Sequence, residues 1–135
     1  MEMNKSAKWM RLTLYLAGIY NIIWGCVVSL FPKELFLLAN MAAPNYPELF
    51  QCIGMMIFVF GIAYLAAAHD PIKHWPIVMA GLLGRILGPL GFLYGALNGR
   101  FTWISGVTII TNDLIWIIPF SLILYKTLKF YRKSE

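Results

Sequence analysis

Charged side chains are scarce in this sequence. Asp, Glu, Lys and Arg together make up 13% of the 135 residues, while 60% are hydrophobic. Charged residues form about 25% of an ordinary soluble domain, so a water-soluble globular fold is not expected. With a mean hydropathy of +0.70, the composition predicts a chain embedded in lipid.

Cysteine and histidine are also rare, with two residues of each. Cys26 and Cys52 lie in separate apolar segments without CxxC spacing, so neither a disulfide framework nor a zinc site is expected. His69, Asp70 and His74 crowd the segment HDPIKHWP, but their spacing matches no standard metal site. A polar turn is the favoured interpretation, a metal-binding or pH-sensing turn is the alternative, and no metal site is predicted.

Long apolar runs dominate the rest of the sequence. Four of them, at 12–31, 49–68, 77–97 and 103–125, have the length of about 20 residues that a helix needs to cross a bilayer. We predict an all-α polytopic membrane protein, a single domain over residues 1–135 that forms a four-helix transmembrane bundle. No separate soluble catalytic domain fits in the remaining residues.

The longest predicted loop contains the segment PKELFLLAN, which predicts a short amphipathic helix at about 33–40. The favoured interpretation is a connector that lies on the membrane surface. The alternative is a lid over a cavity that opens at this side of the bundle.

The positive charges indicate how the chain is oriented. If the amino terminus is cytoplasmic, eight of the eleven Lys and Arg residues lie on that side, two lie outside, and Arg85 lies within a span. Cytoplasmic segments carry such an excess, so a multi-pass protein of the plasma membrane, the inner membrane of a bacterium, is predicted with both termini cytoplasmic. Because these charges flank apolar runs, the net charge of +5 indicates topology and not nucleic-acid binding.

The third apolar run carries glycines at spacings of three and four, which place them on one helix face. They are Gly81, Gly84, Gly88, Gly91 and Gly95. Helices in lipid associate through close backbone contact and interhelical hydrogen bonds, so a neighbouring backbone is expected to approach this stripe, within one monomer or in a homo-oligomer. The first and second runs also offer small faces, with Gly18 and Gly25 on one and Gly54 and Gly61 on the other.

Polar side chains occur at matching depths in the predicted spans. Arg85 and Asp113 each lie roughly 12 to 15 Å from a membrane face, at the helical rise per residue. Asn21 and Asn112 fall in the same layer, and Tyr64 reaches it from the second span. An Arg or Asp at a helix centre costs roughly 2.5 to 3.5 kcal/mol, so these groups are expected to pair or to serve a function.

Two interpretations of this polar cluster stay open. In the first, Arg85 and Asp113 form a buried ion pair that fixes the order of the helices. In the second, the cluster is a binding site in which Arg85 contacts an anionic or carbonyl oxygen, or Asp113 relays a proton. Trp24 and Trp116 share helix faces with cluster residues and either wall an apolar pocket or fill the core.

The four-span plan, the run LAGIYNIIWGCVVSLFP in the first helix and the glycine-rich third helix together resemble the small bacterial DoxX-like membrane proteins. Some proteins of that broad type accompany quinone-linked oxidoreductases. The resemblance therefore implies an accessory subunit or a binder of a lipophilic ligand such as a quinone or a lipid. It assigns a role to no individual residue.

Three functions follow from these features. The favoured one is a non-catalytic accessory subunit, or a binder of a quinone-like or lipid molecule at the polar cluster, with a membrane partner subunit as one interaction. The alternatives are a small proton-coupled transporter that uses Asp113 and a membrane redox enzyme that uses Cys26 and Cys52 or the polar cluster. The enzyme has the weakest support, because the sequence contains no paired carboxylates, Ser–His arrangement or metal-binding signature, and no cofactor is evident.

Overall fold

The structure is a computed structural model that describes residues 2–134, with side chains from Lys8 onward. This part of the chain is helical and contains no β-strand. Four of its helical segments are long and apolar enough to cross a membrane: Lys8–Leu30, Pro47–Ala67, Trp75–Leu97 and Trp103–Arg132. The predicted all-α, four-helix fold is confirmed.

The first three spans belong to continuous helices. α1 extends over Glu2–Leu30, α3 over Pro47–Ala67 and α4 over Trp75–Leu97. α1 begins ten residues before the predicted span at 12–31, because no glycine or proline interrupts the polar residues that precede the apolar run. Between α1 and α3, the short helix α2 extends over Pro32–Leu38 and begins with a proline in its first turn, where the missing N–H has no cost.

The fourth span combines several helical forms. In chain order they are a 3-10 turn at Trp103–Ser105, α5 at Gly106–Ile109, a π-helical turn at Ile110–Leu114 and α6 at Ile115–Arg132. Pro119 lies in the first turns of α6, where its ring crowds the carbonyl of Ile115 and it donates no hydrogen bond. π-helical turns are rare and occur frequently at functional sites, and this one contains Asn112 and Asp113.

α1 and α3 form the closest helix pair, and they run antiparallel. A Cβ built on Gly25 would lie 2.7 Å from the carbonyl oxygen of Gly54, and a Cβ built on Gly61 would lie 2.8 Å from the carbonyl oxygen of Gly18. Backbone atoms do not tolerate a Cβ at such distances. The small faces of the first two spans therefore meet each other directly.

Polar contacts reinforce this pair near α2. The side chain of Gln51 donates to the carbonyl of Ser29 at 3.1 Å, and the hydroxyl of Ser29 donates to the carbonyl of Gln51 at 3.3 Å. Interhelical hydrogen bonds of this kind are worth on average about 0.6 kcal/mol within a membrane. They add to the van der Waals contact that the glycines permit.

Within one monomer, the glycine stripe of α4 makes no close backbone contact with a neighbouring helix, and contact in a homo-oligomer stays a prediction. A Cβ built on Gly84 or Gly91 would meet no atom within 4 Å. The other three glycines face side chains: Gly81 faces Tyr64, Gly88 faces Asp113 and Gly95 faces Phe101. The stripe therefore makes room for side chains and open space, while the close backbone contact lies between α1 and α3.

The buried core lies at one end of the bundle. This terminal end holds both chain termini and the α3–α4 turn, as shown by Lys126 Nζ 5.3 Å from the ring centroid of Trp9 and by the Tyr131 hydroxyl donating to the Ile72 carbonyl at 3.4 Å. Fully buried side chains from all four spans meet there: Leu14, Ala67, Val78, Phe120 and Ile123. Toward the opposite end, which we name the α2 end, a cavity lies between the α1–α3 pair on one side and α4 with the first part of the fourth span on the other.

We predict that Gly25→Val lowers the free energy of unfolding by roughly 1 to 3 kcal/mol, the usual effect of overpacking, because the new side chain collides with backbone atoms of α3. Gly91→Val is the matched control, since it adds the same side chain to a helical glycine that faces open space. Thermal unfolding of both variants in one detergent, followed by circular dichroism, measures the difference. Equal midpoints would contradict the close α1–α3 contact.

Candidate functional site

Two cavities lie between the helix pairs. The cavity at the α2 end has a volume of about 590 Å³ and mostly apolar walls, including Val28, Ile53 and Phe92. The second, which we name the polar cavity, has a volume of about 470 Å³ and lies nearer the middle of the bundle. The residues that line both cavities are Trp24, Ile53, Ile57, Gly88 and Asn112. The two cavities therefore adjoin.

The polar cavity brings together most of the residues predicted from their depth. Its walls include Asn21, Trp24, Tyr64, Arg85, Asn112 and Asp113. Trp116 is the exception, because its indole N–H donates to the Thr111 carbonyl at 3.0 Å and the ring packs behind Arg85. Of the two predicted tryptophans, Trp24 thus walls a cavity and Trp116 fills space beside it.

Aromatic rings surround the guanidinium group of Arg85, which is 4% exposed. Its Cζ atom lies 4.7 Å from the ring centroid of Phe120, 5.4 Å from that of Trp116 and 5.5 Å from that of Tyr64. A cation within about 6 Å of an aromatic ring gains roughly 2 kcal/mol or more when both groups are desolvated. The three rings therefore compensate part of the cost of holding this charge inside the bundle.

Arg85 uses only part of its hydrogen-bonding capacity. Nη1 donates to the main-chain carbonyl of Asn112 in the π-helical turn. Nε and Nη2 are buried and have no hydrogen-bond partner among the described residues. A buried donor without a partner costs about 1 to 3 kcal/mol, and more when it is charged. The fold thus leaves two donors of Arg85 unused.

The carboxylate of Asp113 faces the polar cavity beside α4. A Cβ built on Gly88 would lie 2.8 Å from Asp113 Oδ2, so this position has room for the carboxylate only because Gly88 has no side chain. Among the described side chains, from Lys8 onward, none forms a hydrogen bond or an ion pair with this carboxylate. Asp113 and Arg85 line the same cavity and interact electrostatically without direct contact.

The predicted ion pair between Arg85 and Asp113 is therefore not formed. The Arg85 side chain turns toward the aromatic rings and the Asn112 carbonyl, whereas the Asp113 side chain turns toward Gly88. Matching depth brings the two charges to one cavity. It does not bring them into contact.

Tyr20 is a member of the cluster that the sequence reasoning missed. Its hydroxyl donates to the side-chain oxygen of Asn112, and its ring centroid lies 6.0 Å from that of Trp116. Asn112 is thereby joined to α1 through its side chain and to α4 through its carbonyl. The feature of the sequence that could have identified Tyr20 is a hydroxyl group at the middle of the first span, next to Asn21 and one helical turn before Trp24. Phe120 was also missed, because nothing in an apolar run marks one phenylalanine as the neighbour of a cation.

α2 covers the cavity at the α2 end. Leu35 and Phe36 line this cavity, and the ring of Phe36 packs edge-on against Phe50 with a centroid separation of 4.5 Å. The hydroxyl of Thr102 donates to the Ala39 carbonyl at 2.6 Å, which ties the end of α2 to the start of the fourth span. These contacts place α2 over the cavity, as the lid interpretation predicts, while the interpretation of α2 as a connector on the membrane surface stays open.

The polar cavity opens sideways between α3 and α4. Met56, Ala80 and Gly84 line it and are exposed, and a Cβ built on Gly84 would meet nothing within 4 Å. Exposed residues in the middle of a spanning helix face the hydrocarbon interior of the bilayer. This side of the polar cavity is therefore open.

The remaining candidates lie apart from both cavities. Cys26 and Cys52 are free and exposed, so the thiols do not form a buried redox pair. In the α3–α4 turn, the carboxylate of Asp70 accepts from the main-chain N–H of Lys73 at 3.1 Å, and His74 Nδ1 lies 3.0 Å from the Asp70 carbonyl oxygen. Within the described chain, no three His, Cys, Asp or Glu side chains are placed to hold a metal ion.

No protein-family model, curated protein or solved structure matches this chain. The resemblance to the DoxX-like proteins accordingly stays a prediction. The geometry of the two cavities is the basis on which a function is proposed.

We predict that Arg85→Met leaves the free energy of unfolding unchanged or raises it. Methionine removes two buried donors without partners, each of which costs about 1 to 3 kcal/mol, and it removes a charge that costs roughly 2.5 to 3.5 kcal/mol at a helix centre. Leu14→Ala, which truncates a fully buried side chain, provides the reference loss of roughly 2 to 5 kcal/mol. Thermal unfolding in detergent measures both variants. A loss for Arg85→Met as large as that for Leu14→Ala would make Arg85 a structural element.

Proposed function

We propose that this chain is a non-catalytic membrane protein that takes up a lipophilic molecule from the bilayer and holds it in the two adjoining cavities. The observation that carries the proposal is a cavity within the spans that is lined by an incompletely hydrogen-bonded Arg85 and opens toward lipid at Gly84. Ligand sites are typically about 300 to 1,000 Å³, mostly apolar, with a few polar groups. Cavities of about 590 and 470 Å³ fit that description.

The distribution of polar groups suggests how the ligand lies. Arg85, Asn112 and Asp113 contribute polar groups to the wall of the polar cavity, whereas the cavity under α2 offers apolar walls to a chain or ring. A quinone-like molecule or a single-chain lipid has this combination of parts. The resemblance to DoxX-like proteins favours a quinone and an accessory role beside a partner subunit.

We further propose that the protein resides in the plasma membrane, the inner membrane of a bacterium, with both termini cytoplasmic. The excess of eight Lys and Arg residues over two between the two sides supports this orientation. The position of both termini and the α3–α4 turn at one end of the bundle agrees with it. The lid α2 then lies at the outer face.

A proton-coupled transporter is a second candidate, favoured by the unpaired carboxylate of Asp113 in the polar cavity. Transport requires a path to both faces of the membrane. The buried side chains of Leu14, Val78 and Phe120 close the terminal end of the bundle, so such a path needs a rearrangement of the core. Ligand binding needs none, and we therefore favour the binder.

We predict that Gly84→Leu abolishes or strongly weakens ligand binding without lowering stability, because the new side chain enters the open space of the polar cavity. Gly91→Leu is the matched control, since it also faces open space but does not line either cavity. The measurement is a titration of the purified protein with a short-chain benzoquinone and with its quinol, read by quenching of tryptophan fluorescence. Trp24 lies in the wall common to both cavities.

The wild type and Gly91→Leu are expected to bind one of the two probes saturably. Gly84→Leu is expected to bind that probe more weakly by a factor of at least about ten, which corresponds to a loss of roughly 1.4 kcal/mol in binding free energy. Extraction of the purified proteins, followed by mass spectrometry, identifies any natural molecule that is lost in the same variant. Equal binding by Gly84→Leu and Gly91→Leu would refute the proposed site.

A further inference from the structure

The polar cavity carries charged groups of both signs in equal number. Arg85 is the one cationic side chain and Asp113 the one anionic side chain among the described residues that line it. Asn21, Tyr64 and Asn112 contribute neutral polar groups. The formal charge of the wall is therefore zero.

This balance restricts the charge of a ligand head. An anionic head that approaches Arg85 also approaches Asp113, and a cationic head that approaches Asp113 also approaches Arg85. Charges in a region of low dielectric constant interact strongly and are hardly screened by salt. A neutral head is repelled neither by Asp113 nor by Arg85.

The hydrogen-bonding groups restrict the head further. An arginine side chain only donates, and an ionised aspartate only accepts. Arg85 has two donors without partners, and none of the side chains described from Lys8 onward donates to the carboxylate of Asp113. A head that accepts from one group and donates to the other satisfies both, and a hydroxyl is the smallest group that does so.

We propose, on the basis of the function proposed above, that the polar cavity binds a neutral amphiphile with a hydroxyl head, of the long-chain alcohol or phenol class. The hydroxyl oxygen of the ligand accepts a hydrogen bond from Arg85, and the hydroxyl group donates a hydrogen bond to the carboxylate of Asp113. Because Nε and Nη2 are buried, the proposed contact requires the guanidinium to rotate toward the cavity on binding. The apolar chain passes Trp24 and Ile57 and extends beneath α2.

Heads that only accept are distinguished from the hydroxyl by Asp113. A methyl ether or a carbonyl group bonds Arg85 but leaves the carboxylate without a donor. A carboxylate or phosphate head also brings a negative charge next to Asp113. The site therefore ranks a hydroxyl above an ether and an ether above an anion of equal chain length.

The test uses three probes with the same bromine-terminated alkyl chain and different heads: an alcohol, its methyl ether and an ionised carboxylate. Bromine quenches the fluorescence of a tryptophan that it contacts, and Trp24 lies in the wall along the proposed chain path. For the wild-type protein in detergent, the alcohol is expected to bind about tenfold more tightly than the ether, the effect expected of one hydrogen bond to a charged group. The carboxylate is expected to bind most weakly.

Asp113→Asn provides the second arm. Asparagine both donates and accepts and is close in size to aspartate, so the variant is expected to bind the ether as well as it binds the alcohol. The ranking of the three probes in each protein is also measured without fluorescence, by competition with a radiolabelled alcohol. The thermal unfolding midpoint of each variant is measured alongside.

The outcomes separate the two proposals. A preference for alcohol in the wild type that disappears in Asp113→Asn supports the hydroxyl head. Equal binding of alcohol and ether by the wild type, or tightest binding of the carboxylate, overturns the inference about the head and leaves the proposed binding function in place. Failure of the wild type to bind any probe, together with the absence of a natural ligand in its extracts, overturns the proposed function itself.

Discussion

The cost of a cationic side chain inside a membrane bundle is the constraint around which the polar cavity is built. Arg85 is held by three aromatic rings and by one carbonyl of the π-helical turn, not by a contacting carboxylate. These neighbours come from α3 and from the fourth span, so the guanidinium lies where three spans meet. It also leaves Asp113 free to face the cavity.

Glycine serves two opposite purposes in this fold. On α1 and α3 it permits backbones to touch, as Gly25 and Gly54 do, and the two helices form one tight unit. On α4 it keeps space open, as Gly84 does at the mouth of the polar cavity. Because one pair of helices is packed closely and the other pair stands apart from it toward the α2 end, the bundle encloses volume that a uniformly packed four-helix bundle would fill.

Composition and depth predict much of this molecule. Four apolar runs predict the four spans. Counting residues from each membrane face predicts that Asn21, Arg85, Asn112 and Asp113 lie in one layer, and in the structure all four line one cavity. Depth along a helix does not determine rotation about it. The π-helical turn at Ile110–Leu114 changes which side chains face α4, and no residue type in that segment announces it. For this reason the sequence did not predict that Arg85 contacts aromatic rings and not Asp113.

The glycine stripe of α4 shows a second limit. Small residues at helical spacing are compatible with close contact and with open space, and the choice depends on what the neighbouring helices bring. Here Tyr64 and Asp113 project toward Gly81 and Gly88, which holds α3 and the fourth span away from the α4 backbone. The role of α2 as a lid was similarly open, because the apolar face of a short helix packs on a membrane surface or on a cavity equally well.

The central claim is that the space around Arg85 is a binding site for a molecule taken from the bilayer. Native mass spectrometry of the protein released directly from its own membranes tests this most directly. The account predicts a single bound neutral, lipophilic species on the wild-type chain and on Gly91→Leu, and its loss from Gly84→Leu. A wild-type chain that appears only without such a species, or a species retained equally by Gly84→Leu, would contradict it.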